Sequence, residues 1–336
     1  MRRREFITLV GGAVASPLVA RAQQPAKTKR IAIVSAAEPA SQMVASYNPI
    51  YRGFFDELSR HGLVEGKHLV IERYSAEGDT DRFPQLVRDI VAARPDAICS
   101  AYSQITLLFK STKTTIPIVT IGPDPVALGL AQSISHPGGN ITGVTIDAGL
   151  EIWGKRIGLI KEVLPKLSNL ALILPLPPKL WEGSPYSAVF RQAAKLANIA
   201  LSPALLDGKI DADTYRRVFT SFAESKPDAL LISESSINAV NSVTLIELAA
   251  KYRLPAMYTW REHAENGGLM SHSFDLEELG RSCGYQMAQV VSGSNPGDIP
   301  FIQVTRLYLT LNLKTAKSLG LEFPATLLGS ADFIIE

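Results

Sequence analysis

The residues of this chain that could do chemistry stand in short loops, each just beyond an apolar run. Ser35 and Ala36 follow Ile31–Val34, where small residues let a ligand approach the backbone. Tyr102 and Ser103 follow Asp96–Ser100 and offer a ring face and a hydroxyl. Asp124 stands between Pro123 and Pro125 as a stiffly presented carboxylate. It either holds a ligand ammonium or caps the turn that follows. Ser233 and Glu234 end another apolar run, and Glu234 either pairs with a cation or is solvated. Trp260 could stack on a ring, and Arg261 could clamp a carboxylate through two parallel hydrogen bonds. Hinge packing and a surface ion pair are the alternatives for these two. Trp181 lies in the Pro/Gly-rich loop Leu176–Pro185, which is long enough for a lid, unless its ring simply packs down.

Catalytic signatures are missing. The chain has no His-Glu-x-x-His, Gly-x-Ser-x-Gly, P-loop or Cys-x-x-Cys motif. Gly138-Gly139-Asn140-Ile141-Thr142-Gly143 lacks dinucleotide-loop spacing and precedes a strand-like run, so it reads as a turn. The five histidines are scattered without metal-ligand spacing, so neither a metal nor a cofactor is expected. Two cysteines, Cys99 and Cys283, are too few for a disulfide framework and read as buried thiols or a single pair.

The elements that must position these loops alternate along the chain. Apolar runs of four to seven residues are separated by helical patterns such as Ile50–His61, which closes at Gly62. This order is that of a doubly wound α/β unit. It restarts near Ile152, and Arg94-Pro95-Asp96-Ala97 and Lys226-Pro227-Asp228-Ala229 occupy equivalent places in the two units. The expected fold is therefore α/β, with two doubly wound, Rossmann-like lobes joined by a multi-strand hinge. Residues 29–145 plus about 272–300 are expected in the first lobe, and 146–271 plus part of 301–336 in the second. Ligands of such sheets bind beyond the carboxyl ends of the strands, which here face a shared cleft.

The first residues carry an address rather than part of this fold. Arg2-Arg3-Arg4, an apolar run from Ile7 and Ala20-Arg21-Ala22 have the three parts of an export signal, cut after Ala22. Arg3-Arg4-Glu5-Phe6 fits the twin-arginine variant. The apolar run is too short to span a bilayer, which takes roughly 20 residues. Removing residues 1–22 takes away four arginines and one glutamate, so 34 basic and 32 acidic groups become 30 and 31. A mature chain so balanced, without a basic stripe, argues against nucleic acid as a partner. No later apolar stretch reaches membrane-spanning length.

Several ordered motifs resemble the ABC transporter substrate-binding proteins with the type I periplasmic binding fold, in a subfamily with members that bind aromatic amino acids. They are Gly62–Arg73, Ile116–Val126, His136–Gly143, Gly267–Ser271, Leu313–Gly320 and Ala331–Glu336. Where that subfamily usually has Tyr-Gly after Gly-Gly-Leu-Met-Ser, this chain has His272-Ser273, which makes His272 a further ligand candidate. The resemblance implies a periplasmic, non-enzymatic, monomeric receptor. It would close on a small molecule, favoured as an aromatic amino acid or aromatic carboxylate, and deliver it to an ABC permease. A secreted receptor for a signalling partner and a secreted α/β enzyme using Asp124 or Glu234 are the alternatives.

Overall fold

A computed structural model describes residues 28–146 and 151–336. The export signal read in residues 1–22 lies outside the described residues. The first unit runs β1 (Lys29–Ser35), α1 (Pro49–Arg60), β2 (Leu69–Ser75), α2 (Phe83–Ala93), β3 (Ala97–Ser100), α3 (Ser103–Ser111), β4 (Ile118–Gly122) and β5 (Ile141–Thr145). The second opens with α4 (Glu151–Val163), β6 (Asn169–Leu174), α5 (Pro178–Trp181), α6 (Pro185–Leu196), β7 (Ala200–Leu205) and α7 (Ala212–Ser225). It continues through β8 (Ala229–Ile232), α8 (Ser236–Val240), α9 (Ser242–Lys251), β9 (Ala256–Tyr258), α10 (Arg261–Glu265) and β10 (Met270–Ser273). The last elements are α11 (Leu276–Val291), β11 (Ile302–Gln303), β12 (Tyr308–Asn312), α12 (Leu313–Leu319), α13 (Ala325–Ser330) and β13 (Phe333–Ile335).

These strands form two sheets. The first, in the order β11-β5-β4-β3-β1-β2, is parallel throughout. The second, β13-β12-β10-β9-β8-β6-β7, is parallel except where β10 meets β12. Strands buried on both faces carry unbroken apolar runs, and β8 and β9 are buried at every residue. Local chemistry fixes the helix ends. The Asn48 side chain accepts the Tyr51 N–H at 3.1 Å to start α1, with Pro49 at its first position. Gly62, at φ +75°, lets the chain leave.

Helices α8 and α9 are separate, because the Asn241 side chain turns back to the Ile237 carbonyl at 2.9 Å and the helix restarts at Ser242. Strands β11 and β12 divide between the sheets, β11 in the first and β12 in the second. The chain thus changes sheets three times, after β5, after β10 and after β11. The boundary expected at about 272 falls inside β10, whose His272 and Ser273 pair with Leu309 and Tyr308 of the second sheet.

Two contacts set the geometry around the cleft. Helix α11, reached only after the second change of sheet, packs on α1 of the first lobe through glycines. A Cβ on Gly53 would overlap the Glu277 carbonyl oxygen, and one on Gly280 the Ile50 carbonyl oxygen. At the cleft mouth the loops after β2 and β7 pair backbone to backbone. Thr80 N–H donates to Gly208 O and Ile210 N–H to Gly78 O, both at 2.9 Å, and Gly208 N–H donates to the Thr80 hydroxyl at 2.8 Å. These bonds join the two lobes directly.

Candidate functional site

Between the lobes lies a cavity of about 280 Å3, built from the loops after β1, β3, β4, β6 and β8 together with faces of α1, α4 and α11. Ser35, Ala36, Tyr102, Ser103, Asp124, Ser233, Glu234 and Trp260, all expected from sequence, line it. Tyr51, Phe54, Trp153 and Phe190 add aromatic wall that sequence reasoning missed. The lining is mostly apolar with a few polar groups, the composition of a small-molecule site.

Hydrogen bonds fix the loops. The Tyr102 hydroxyl donates across the cleft to Pro175 O at 2.9 Å, and Gln104 Nε2 reaches the same oxygen at 3.3 Å. Burial pushes the Tyr102 hydroxyl well above its ordinary pKa, so it stays a donor. Behind it, Thr106 links the Ser100 and Thr120 hydroxyls at 3.0 and 2.9 Å and locks the ends of β3 and β4. In the second lobe, Tyr215 donates to Asn238 at 2.7 Å, and Asn238 Nδ2 donates to Ser233 O at 2.8 Å. Each loop is therefore preformed on a rigid strand end.

The two expected carboxylates differ in role. Asp124 accepts the Val126 and Ala127 N–H groups at 2.8 and 3.1 Å, so it caps the turn while facing the cavity. Glu234 does pair with a cation, but one of the protein's own. Arg156 Nη2 lies 2.5 Å from Glu234 Oε1, with the arginine side chain fully buried. Arg156 also donates to His272 O from Nε at 3.0 Å and Nη2 at 2.7 Å, and its guanidinium sits 4.7 Å over the Trp153 ring. Its sequence signal was position. It shares a helical stripe with Ile152, Ile157 and Ile160, where a cation among apolar neighbours must find a partner.

Three expected site residues do not reach the cavity. Trp181 is buried in α5, its ring 6.1 Å from Phe190 and under the Arg191 guanidinium, so it backs the wall and forms no lid. Arg261 is held by Glu265 at 2.6 Å and stacks 3.7 Å over Phe333, so it clamps no ligand carboxylate. The His272 ring is buried in the second sheet, and only its carbonyl is engaged, by Arg156. Burial, then the Arg156 and Lys155 charges, lower its pKa to about 4, which keeps it neutral.

The acid that sequence reasoning overlooked is Glu38, in the loop after β1. It lines the cavity, and its carboxylate accepts a hydrogen bond from the Ser35 hydroxyl while Ser35 Oγ accepts the Ala37 and Glu38 N–H groups at 3.0 and 2.9 Å. Burial raises its pKa, opposed by the Ser35 hydroxyl. Cys99 and Cys283 also line the cavity as free thiols, their Sγ atoms 3.5 Å apart. Among the described residues no group of three or more His, Cys, Asp or Glu side chains could hold a metal, and no helix is long and apolar enough to cross a membrane.

This chain is similar to proteins already known. A structure from Vibrio cholerae, described as a conserved domain protein, superimposes with a TM-score of 0.77 at 23% identity, covering 92% of this chain and all of that one. A Streptococcus ABC domain in complex with L-Trp gives 0.75 at 22% identity, with 92% and 100% covered. The likeness establishes the fold as that of the type I periplasmic binding proteins. A tyrosine-binding protein of Clostridioides difficile is 23% identical over 288 residues, 84% of this chain and 80% of that protein. The profile of the ABC transporter substrate binding proteins matches residues 31–335. The chain belongs to that family.

Proposed function

We propose that the mature chain works outside the cytoplasm as the receptor of an ABC importer, capturing an aromatic amino acid or a close analogue and presenting it to the permease. The observation that carries this reading is the cavity, which lies between two lobes and is walled by Tyr51, Phe54, Tyr102, Trp153, Phe190 and Trp260. Six aromatic side chains offer edge and face contacts to a ring that no sugar or small aliphatic solute would use as fully. The tyrosine-binding relative and the L-Trp complex lend support to the same ligand class.

Capture works by lobe closure. A solute touching β1, β3 and β4 loops of one lobe and the β6 and β8 loops of the other favours the closed arrangement by the contacts that only closure supplies. In this reading the residues that line the cavity hold and orient the solute. A thermal-shift panel on the purified mature chain tests this. Aromatic amino acids are expected to raise the melting temperature, while sugars, purines and aliphatic amino acids leave it unchanged. A shift confined to sugars or purines would sink the proposal.

A further inference from the structure

The charges around the cavity are lopsided. Three carboxylates line it, from Glu38, Asp124 and Glu234, and among the described residues no lysine, arginine or histidine side chain does. Two of the three are already engaged. Glu234 is neutralised by Arg156 at 2.5 Å, and Asp124 holds two backbone N–H groups of its own turn. Glu38 has no ion pair among the described residues. The side chain that meets its carboxylate is the Ser35 hydroxyl, its neighbours Tyr47 and Tyr51 are neutral phenols, and Arg73 beside Tyr51 is held by Glu65 at 2.7 Å and by Met43 O at 2.9 Å.

Resting on the proposed function, we infer that the solute is recognised as a cation. Its ammonium group is seated on Glu38 and its apolar body lies between the aromatic walls, with no arginine clamp for a carboxylate. A solute that offers only a carboxylate would meet the Glu38 carboxylate and no free cation lining the cavity among the described residues. A solute with an ammonium completes the one carboxylate the protein leaves without a cation. Ser35 fixes that carboxylate by hydrogen bonding, so the anchor is preorganised rather than assembled by the ligand. Burial already raises the Glu38 carboxyl, so an arriving ammonium draws it back down, and affinity falls on acidification earlier than for an ordinary carboxylate.

Three indole probes that differ only at the polar end separate the possibilities by calorimetry near neutral pH. They are tryptamine, L-tryptophan and indolepropionate. Tryptamine and tryptophan are expected to bind, and indolepropionate to bind at least about tenfold more weakly than either. Glu38→Gln is expected to weaken the two amines by about tenfold or more and to leave indolepropionate no worse. Indolepropionate binding as tightly as tryptophan, or Glu38→Gln keeping full affinity for tryptamine, would overturn the inference while leaving an aromatic receptor standing. Silence from all three probes, beside a response to a sugar or purine, would overturn the proposed function and this inference together. Should the variant fail to fold, the ranking of the three probes on the unaltered protein decides alone.

Discussion

Replacing Glu234 by glutamine removes the one carboxylate that neutralises Arg156. The guanidinium is fully buried and Glu234 is 14% exposed at the cavity edge, so the pair is screened little by solvent. After the change the amide oxygen can still accept from Arg156, but no counter-charge remains beside the His272 carbonyl and the Trp153 ring. Breaking a buried ion pair by deleting one partner costs about 3–5 kcal/mol. The access of Glu234 to the cavity sets the expectation at the lower end, about 3 kcal/mol. For a lobe of this size that lowers the melting temperature by roughly 6–12 °C. Removing both charges in Arg156→Met with Glu234→Gln relieves the orphaned cation and is expected to recover at least about 2 kcal/mol. Urea unfolding of the two variants and the parent, at unchanged m-value, measures both numbers. A Glu234→Gln variant within about 0.5 kcal/mol of the parent, or a double variant less stable than that single one, would refute the reasoning.

Acidification is expected to destabilise the protein before its ordinary carboxylates titrate. Burial holds His263 and His272 at pKa values of about 4, below the usual 6.5, so the unfolded chain takes up protons that the native one refuses. Stability is therefore lost as the pH falls from about 6.5 to about 4, with Glu38 and Glu262, raised by burial, opposing part of the loss. The urea midpoint followed through that window should fall, and a rising midpoint would contradict the assignment. At the helix pair, Gly280→Ala is expected to destabilise by about 1–3 kcal/mol although alanine is the better helix former, because its methyl meets the Ile50 carbonyl. A stabilised variant in the same unfolding assay would show that α1 and α11 can part at little cost.

The alternating units were legible because buried parallel strands write unbroken apolar runs such as Ile31–Val34 and Leu230–Ile232. The loops after those strands were legible for the same reason, since a strand's end points at the cleft, and this found Ser35, Tyr102, Asp124 and Ser233. What failed was partner choice. Arg261 looked like a carboxylate clamp, yet it has Glu265 one helical turn away, and the cation that Glu234 meets is Arg156, 78 residues distant in sequence. Aromatic walls from helices, such as Trp153 and Phe190, share their spacing with ordinary core positions, and sequence offers nothing to tell cavity wall from core. Glu38 differs from these. It stands three residues beyond Ser35, inside the loop already singled out, and a carboxylate there was readable.

The pairing of Gly78–Thr80 with Gly208–Ile210 has an evolutionary consequence. Two of its four bonds join backbone to backbone, and the other two use the Thr80 hydroxyl, which accepts from Gly208 N–H and donates to Gly208 O at 3.3 Å. Substitution on the cavity wall leaves that clasp intact, and within it only proline, the loss of Thr80 or a side chain at the positive-φ Gly78 and Gly208 would disturb it. This part of the grip between the lobes thus resides outside the cavity wall, although Tyr102 of the wall adds its own bond across the cleft to Pro175 O. A lineage can retune what the cavity accepts, one wall residue at a time, without unmaking that clasp.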